Sequence, residues 1–266
     1  MTIIQSIIIA VIEGITEFLP ISSTAHMKFA NPLIGVQSSP FVDMFEVVIQ
    51  FAAILSIVVI FYKKFFDFKR TSFYLKLIIA TIPALIVGAI LKKYIDSALD
   101  NLTAIACVMI GGGILLLFID KLFTRNNIED EGKISLQKAF AIGCFQCLSI
   151  LFPGLSRSAA TIVGGMQQKL TRTLAAEFSF CLAVPTMFAA SVKSFWDVYK
   201  DHPDVLVKDN YTVLAIGAVV SFIVALIAVK TFITYLQKHG FRAFGVYRII
   251  LGIVILVLVY KGVIAN

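Results

Sequence analysis

Apolar residues run along this chain in long, nearly unbroken stretches. Six of them, about 44–62, 73–92, 102–120, 174–192, 211–229 and 243–260, approach the roughly 20 residues that a helix needs to cross the hydrocarbon of a bilayer. None alternates as outer-membrane barrel strands do, so helices are the expected way to satisfy backbone groups in lipid. Two further apolar stretches are interrupted: residues 2–19 stop at Pro20, and residues 139–152 stop at Pro153-Gly154. Neither predicts a clean span.

Composition agrees with this pattern. The chain is 59% hydrophobic and 15% charged, with a mean hydropathy of +0.93, where a soluble domain is nearer half apolar and a quarter charged. The expected fold is therefore an all-α polytopic membrane protein, one integral domain over residues 1–266. The first segment carries no Lys or Arg and no small-residue cleavage site, so it is expected to belong to the mature fold and not to a signal peptide. Cys107, Cys144, Cys147 and Cys181 all fall in apolar segments and are read as helix-packing residues, not as a metal or redox set.

The two broken segments resemble each other. "VIEGITEFLPISSTAH" and "IGCFQCLSILFPGLSRSAAT" share an acid or amide (Glu13, Gln146), a proline seven residues on (Pro20, Pro153) and a Ser-rich turn that sets Ser22 opposite Ser156. Glu46 and Glu177, each near the start of the following span, continue the match. The chain thus reads as a tandem repeat, one copy over about 1–122 and the other over about 136–266. Interrupted hydrophobic segments at matching positions of two halves point to a binding site at their interface, and both are read as re-entrant helical hairpins. Six transmembrane helices, three per half, would make the repeat inverted.

Loop charge orients the chain. One side would carry Lys63, Lys64, Lys69, Arg70, Lys121, Arg125, Lys133, Lys138, Lys169, Arg172, Lys230, Lys238 and Arg242; the other carries only Lys92, Lys93, Lys193, Lys200, Lys208 and Lys261. The richer side is expected to be cytoplasmic, which leaves both termini and the first hairpin on the outer side. This asymmetry also accounts for the formal charge of +7; no basic cluster interleaved with aromatics suggests nucleic acid.

The polar residues of the broken segments are the candidate chemistry. Glu13 and Glu17 share one helix face, and ionised carboxylates inside a membrane are functional candidates by default. Together they suit a divalent cation, or an acid and base of divergent pKa. After Pro20 come Ser22, Ser23 and Thr24, with His26 one turn on, close enough in sequence for hydroxyl and imidazole to meet. A helix N-terminus there would offer free N–H groups to an anion beside a nucleophile. The second segment supplies Arg157 between Ser156 and Ser158, with Thr161 a turn later. An intramembrane arginine flanked by hydroxyls suits a phosphate clamp, and pairing with Glu13 or Glu17 would also bring the hairpins together. Phosphoryl chemistry on a membrane-embedded substrate fits this set better than proteolysis or redox work.

At these residues the chain resembles the bacterial undecaprenyl-diphosphate phosphatases of the bacitracin-resistance type. The family's E-G-x-T-E-F-L-P-I-S-S-T-G-H appears as Glu13 to His26, and its P-G-x-S-R-S-G-x-T as Pro153 to Thr161, with Ala25 and Ala159 in place of its two glycines. The resemblance implies hydrolysis of undecaprenyl diphosphate to undecaprenyl phosphate and inorganic phosphate. It also implies a place in recycling the peptidoglycan lipid carrier, bacitracin resistance, and residence in the bacterial inner membrane with an outward-facing site. It implies that Glu13 and Glu17 hold a divalent cation, Mg or Ca, and take part in acid/base work. Ser23 and His26 would be catalytic with Arg157, while Ser22, Ser156, Ser158 and Thr161 would bind substrate with it. A homodimer is allowed but not specified. Whether Ser23, His26 or a water attacks phosphorus stays open. The type-2 phosphatidic acid phosphatases also use Ser, Arg and His, but their K-x6-R-P motif is absent, and His202 and His239 fall in loops on opposite sides. A transporter or lipid flippase is the alternative from another class.

Overall fold

The protein is described here from a computed structural model that covers residues 1–91, 94, 98–99, 101–205 and 207–264; Lys92 and Lys93 lie outside the described residues. The chain is all helical in its spans, and among the described residues six helices have the length and apolarity to cross a membrane. They are α3 (Pro40–Ile60), α5 (Thr71–Ile90), α6 (Leu102–Leu122), α9 (Arg172–Asp201), α10 (Lys208–Lys238) and α11 (Arg242–Tyr260). Each matches a predicted span. Helices α9 and α10 continue past the apolar stretch because nothing in Lys193–Asp201 or Lys230–Lys238 breaks a helix; hydropathy marks the lipid boundary, not the helix end.

The interrupted segments form helix pairs. Helix α1 (Ile3–Thr16) turns at Pro20 into α2 (Ser23–Leu33), and α7 (Leu136–Leu151) turns at Pro153-Gly154 into α8 (Arg157–Gln167). Helices α1 and α7, of 14 and 16 residues, are too short to span. A short α4 (Tyr62–Phe65) follows α3.

Packing crosses between the halves. Helix α1 lies along α10 and α7 lies along α5, while α3 meets α9 and α6 meets α11. Small residues permit this closeness, as expected where lipid supplies no hydrophobic drive between helices. A Cβ on Gly113 would stand 2.8 Å from the Gly245 carbonyl, and one on Gly143 would collide with that of Ala80. Hydroxyls add bonds across helices: Ser6 Oγ donates to Val213 O, Ser221 Oγ to Ile49 O and Ser191 Oγ to Val47 O.

One end of the bundle is tied by charge. Lys64 Nζ lies 3.0 Å from both Glu131 and Glu177, and Arg70 lies 3.1 Å from Glu131. Asp120 pairs with Arg172 and accepts from the Phe241 N–H. Burial alone would lower the pKa of Lys64, but the bonded Glu177, with Glu131, outweighs it and holds the ammonium above its ordinary value. The folded state therefore binds this proton more tightly than the unfolded chain. Its stabilisation is full below the ordinary lysine range and drains away as pH rises through the raised value. Glu177→Gln is expected to remove up to about 1 kcal/mol, as for a partly exposed pair. Thermal unfolding in detergent at about pH 8 and about pH 11, either side of the ordinary lysine value, should show the gap between variant and parent shrinking at the higher pH. An equal gap at both would show that Lys64 ionisation is irrelevant to it.

Candidate active site

The two turns meet, and the start of the helix after each is set in the same way. Ser22 caps α2 with φ of 71° and accepts from Ala25 N; Ser156 caps α8 with φ of 76° and accepts from Ala159 N. Left-handed backbone at a residue with a side chain is strained, and such strain concentrates at functional sites. The starts of α2 and α8, whose first N–H groups have no intrahelical acceptor, border one cavity through Ser22, Ser23, Ser156 and Arg157. Gly154, at φ of 96°, admits the Ile105 carbonyl where a Cβ would stand only 2.6 Å from it.

Across this junction Glu17 is the hub. Its Oε2 accepts from Ser23 Oγ at 2.6 Å, and its Oε1 accepts from Arg157 Nη2 at 2.9 Å. Both members of the Glu17–Arg157 pair are largely buried, with side chains 7% and 12% exposed, so the bond is little screened. Arg157 Nη1 also donates to Ser179 O. Ser158 Oγ lies 3.0 Å from Ser156 Oγ and donates to Leu19 O, a second link between the turns. Thr161 Oγ1 bonds Arg157 O and Ser179 Oγ, standing behind the arginine that it supports.

A cavity of about 1080 Å³ opens in front of these groups. Glu17, Ser22, Ser23 and Thr24 line it from the first half, and Gln146, Pro153, Gly154, Ser156 and Arg157 from the second. Its apolar wall comes from α5 and α9, through Ala84, Leu85, Gly88, Met187 and Ala190. Lys193, Asp197, Asp201 and His202 also line it, at the end of α9 away from the Lys64 cluster.

His26 and Glu13 stand apart from that cavity. The His26 imidazole bonds its own turn through Nδ1 to Ser22 O, and through Nε2 it meets Tyr247 of α11 at 2.8 Å, the two rings stacking. Ser23 thus has Glu17 as its bonded carboxylate. Glu13 is fully buried one turn behind Glu17, and neither of its oxygens has a hydrogen-bond partner among the described residues. A buried carboxylate without a donor is costly, and a cation would satisfy it; the donor set fits Mg or Ca, which take carboxylate oxygens with water and substrate phosphates completing the shell. Glu46 and Glu177, matched by sequence, differ in setting: Glu46 is buried on Asn31, whereas Glu177 holds Lys64 at the charged end.

Three neighbours escaped the sequence reading. Ser179 comes from α9 and Tyr247 and Arg248 from α11, and only Arg248 carried a signal, as a charge inside an apolar span.

The family described as "Bacitracin resistance protein BacA" matches residues 6–254. Among curated proteins, the undecaprenyl-diphosphatase of Porphyromonas gingivalis (strain ATCC BAA-308 / W83) is 48% identical over 279 residues, covering 99% of each chain. That of Flavobacterium johnsoniae is 50% identical over 259 residues, with 97% of this chain and 96% of the relative covered. That of Bdellovibrio bacteriovorus is 40% identical over 264 residues, covering 98% of each.

Proposed function

The chain belongs to the bacitracin resistance protein BacA family, and we infer that it hydrolyses undecaprenyl diphosphate to undecaprenyl phosphate and inorganic phosphate. The observation that carries this reading is the single carboxylate, Glu17, bonded on one side to the Ser23 hydroxyl and on the other to Arg157, between two helix N-termini. That is a nucleophile, a base and an anion clamp in one cavity. The apolar wall gives the prenyl chain a path, and the activity recycles the lipid carrier of peptidoglycan synthesis and confers bacitracin resistance.

In the proposed reaction the terminal phosphate sits against Arg157 and the free N–H groups of α2 and α8. Ser23 Oγ attacks phosphorus as its proton passes to Glu17 Oε2. The anhydride P–O bond breaks, undecaprenyl phosphate leaves, and Arg157 balances the charge that builds on the phosphoryl oxygens. Glu17 passes the proton it took to the departing undecaprenyl phosphate. Water then attacks phosphoserine and gives a proton to Glu17, and as the phosphorus–Oγ bond breaks Glu17 returns that proton to Ser23 Oγ and inorganic phosphate is released. Glu13 and Glu17 would hold a Mg or Ca ion, which when bound supplies positive charge to the diphosphate. His26 steadies the turn that carries Ser23 through its bond to Ser22 O, and Ser22, Ser156, Ser158 and Thr161 shape and brace the phosphate site.

The setting we propose is the bacterial inner membrane, with both helix pairs re-entrant and the cavity and termini facing outward. Support comes from the charge asymmetry: the basic loops gather at the Lys64–Glu131–Arg70 end, and the cavity reaches the other.

Purified protein in detergent with Mg or Ca should release phosphate from a polyprenyl diphosphate with no second compartment present. If no phosphate appeared while the same preparation moved the lipid across vesicles, the transporter reading would replace this one.

A further inference from the structure

Arg248 lies within α11, a helix apolar enough to span the membrane, and is completely buried. A charge in such a place needs compensation, and every described hydrogen bond of this one ends on a backbone carbonyl. Nε donates to Met109 O at 3.2 Å, Nη1 to Pro20 O at 3.0 Å and Leu155 O at 2.7 Å, and Nη2 to Gly154 O at 2.9 Å.

Three of these four acceptors belong to the two turns of the active site. Pro20 precedes Ser23 in the first turn; Gly154 and Leu155 precede Arg157 in the second. Carbonyls at such turns are left without helical partners, and inside a membrane they must find donors within the protein. Nη1 serves one carbonyl from each turn, so a single nitrogen bridges the two halves of the site. A guanidinium suits the task because its planar fork holds five N–H groups in fixed directions, whereas an ammonium offers three from one atom. The surroundings are shaped to it: a Cβ at Gly112 would collide with Nη2.

We propose that Arg248 is a positioning residue for hydrolysis, fixing the spacing between the turn that carries Glu17 and Ser23 and the turn that carries Arg157. This inference rests on the phosphatase reading. Arg248 does not itself line the cavity and touches no reacting atom; it acts through the two backbones it clasps.

The test is steady-state phosphate release from a polyprenyl diphosphate by the full chain in detergent, with wild type, Ser23→Ala, Arg248→Lys and Gly112→Ala side by side. Arg248→Lys keeps the charge but loses the bridging fork; Gly112→Ala keeps the arginine but displaces it. Both should lower kcat by about 100-fold, the scale of an ångström-sized misplacement, and leave KM within about threefold, as for interactions realised in the transition state. A residue that only holds the fold would reduce yield and melting temperature while the folded molecules kept their kcat. Normal kcat in both folded variants would overturn the proposal, and so would failure of both to give monodisperse folded protein. An inactive wild type would instead overturn the phosphatase reading, and this inference with it.

Discussion

Arg157→Ala is expected to lower kcat by roughly a thousandfold or more, the range of a charge-stabilising arginine in phosphoryl transfer. Arg157 is the cavity-lining guanidinium of the second turn, and its Nη2 bond to Glu17 places it beside the attacking hydroxyl. The same substitution strips Glu17 of its cation. Removing one partner of a buried pair costs about 3–5 kcal/mol, and the cost here falls toward the lower end because both groups border a cavity. Arg157→Lys separates the two effects. It restores a positive charge beside Glu17, and with it most of the stability, but not the fork that holds phosphate oxygens. Its melting temperature should approach that of wild type while its kcat stays low. Near-normal kcat in Arg157→Lys would show that only charge is required there.

Ser23→Ala is expected to cost about as much, since it removes the group that attacks phosphorus. The variant should fold, because it deletes one hydroxyl bonded to a carboxylate that still has Arg157. KM should change little, the phosphate being held by Arg157 and the helix N-termini. His26→Ala should lose less, because the imidazole faces Tyr247 and the Ser22 carbonyl. Phosphate-release kinetics on the two variants check this order, and a larger loss from His26→Ala would move the chemistry to the imidazole.

Much of this was legible in the sequence, for physical reasons. The six spans follow from hydropathy and length, which the bilayer dictates. The two turns follow from Pro20 and Pro153-Gly154, residues that end helices. The positive φ of Ser22 and Ser156 was not legible, since serine carries no preference for it. Spacing alone put His26 within a turn of Ser23, yet a rotamer is decided by what lies opposite, and Tyr247 is far away along the chain. Helical spacing put Glu13 and Glu17 on one face, but not which would border the cavity; the fold gives that place to Glu17 and buries Glu13. Arg248 was in plain view as a charge in an apolar run, and its partners were not, because backbone carbonyls leave no trace in a sequence.

Hydrolysis at this site turns on one covalent step. Rapid acid quenching of the enzyme mixed with polyprenyl diphosphate labelled in its terminal phosphate, followed by peptide mapping by mass spectrometry, tests it directly. The expected result is label on Ser23 that is absent from Ser23→Ala. Label on His26, or turnover without any phosphorylated residue, would contradict it.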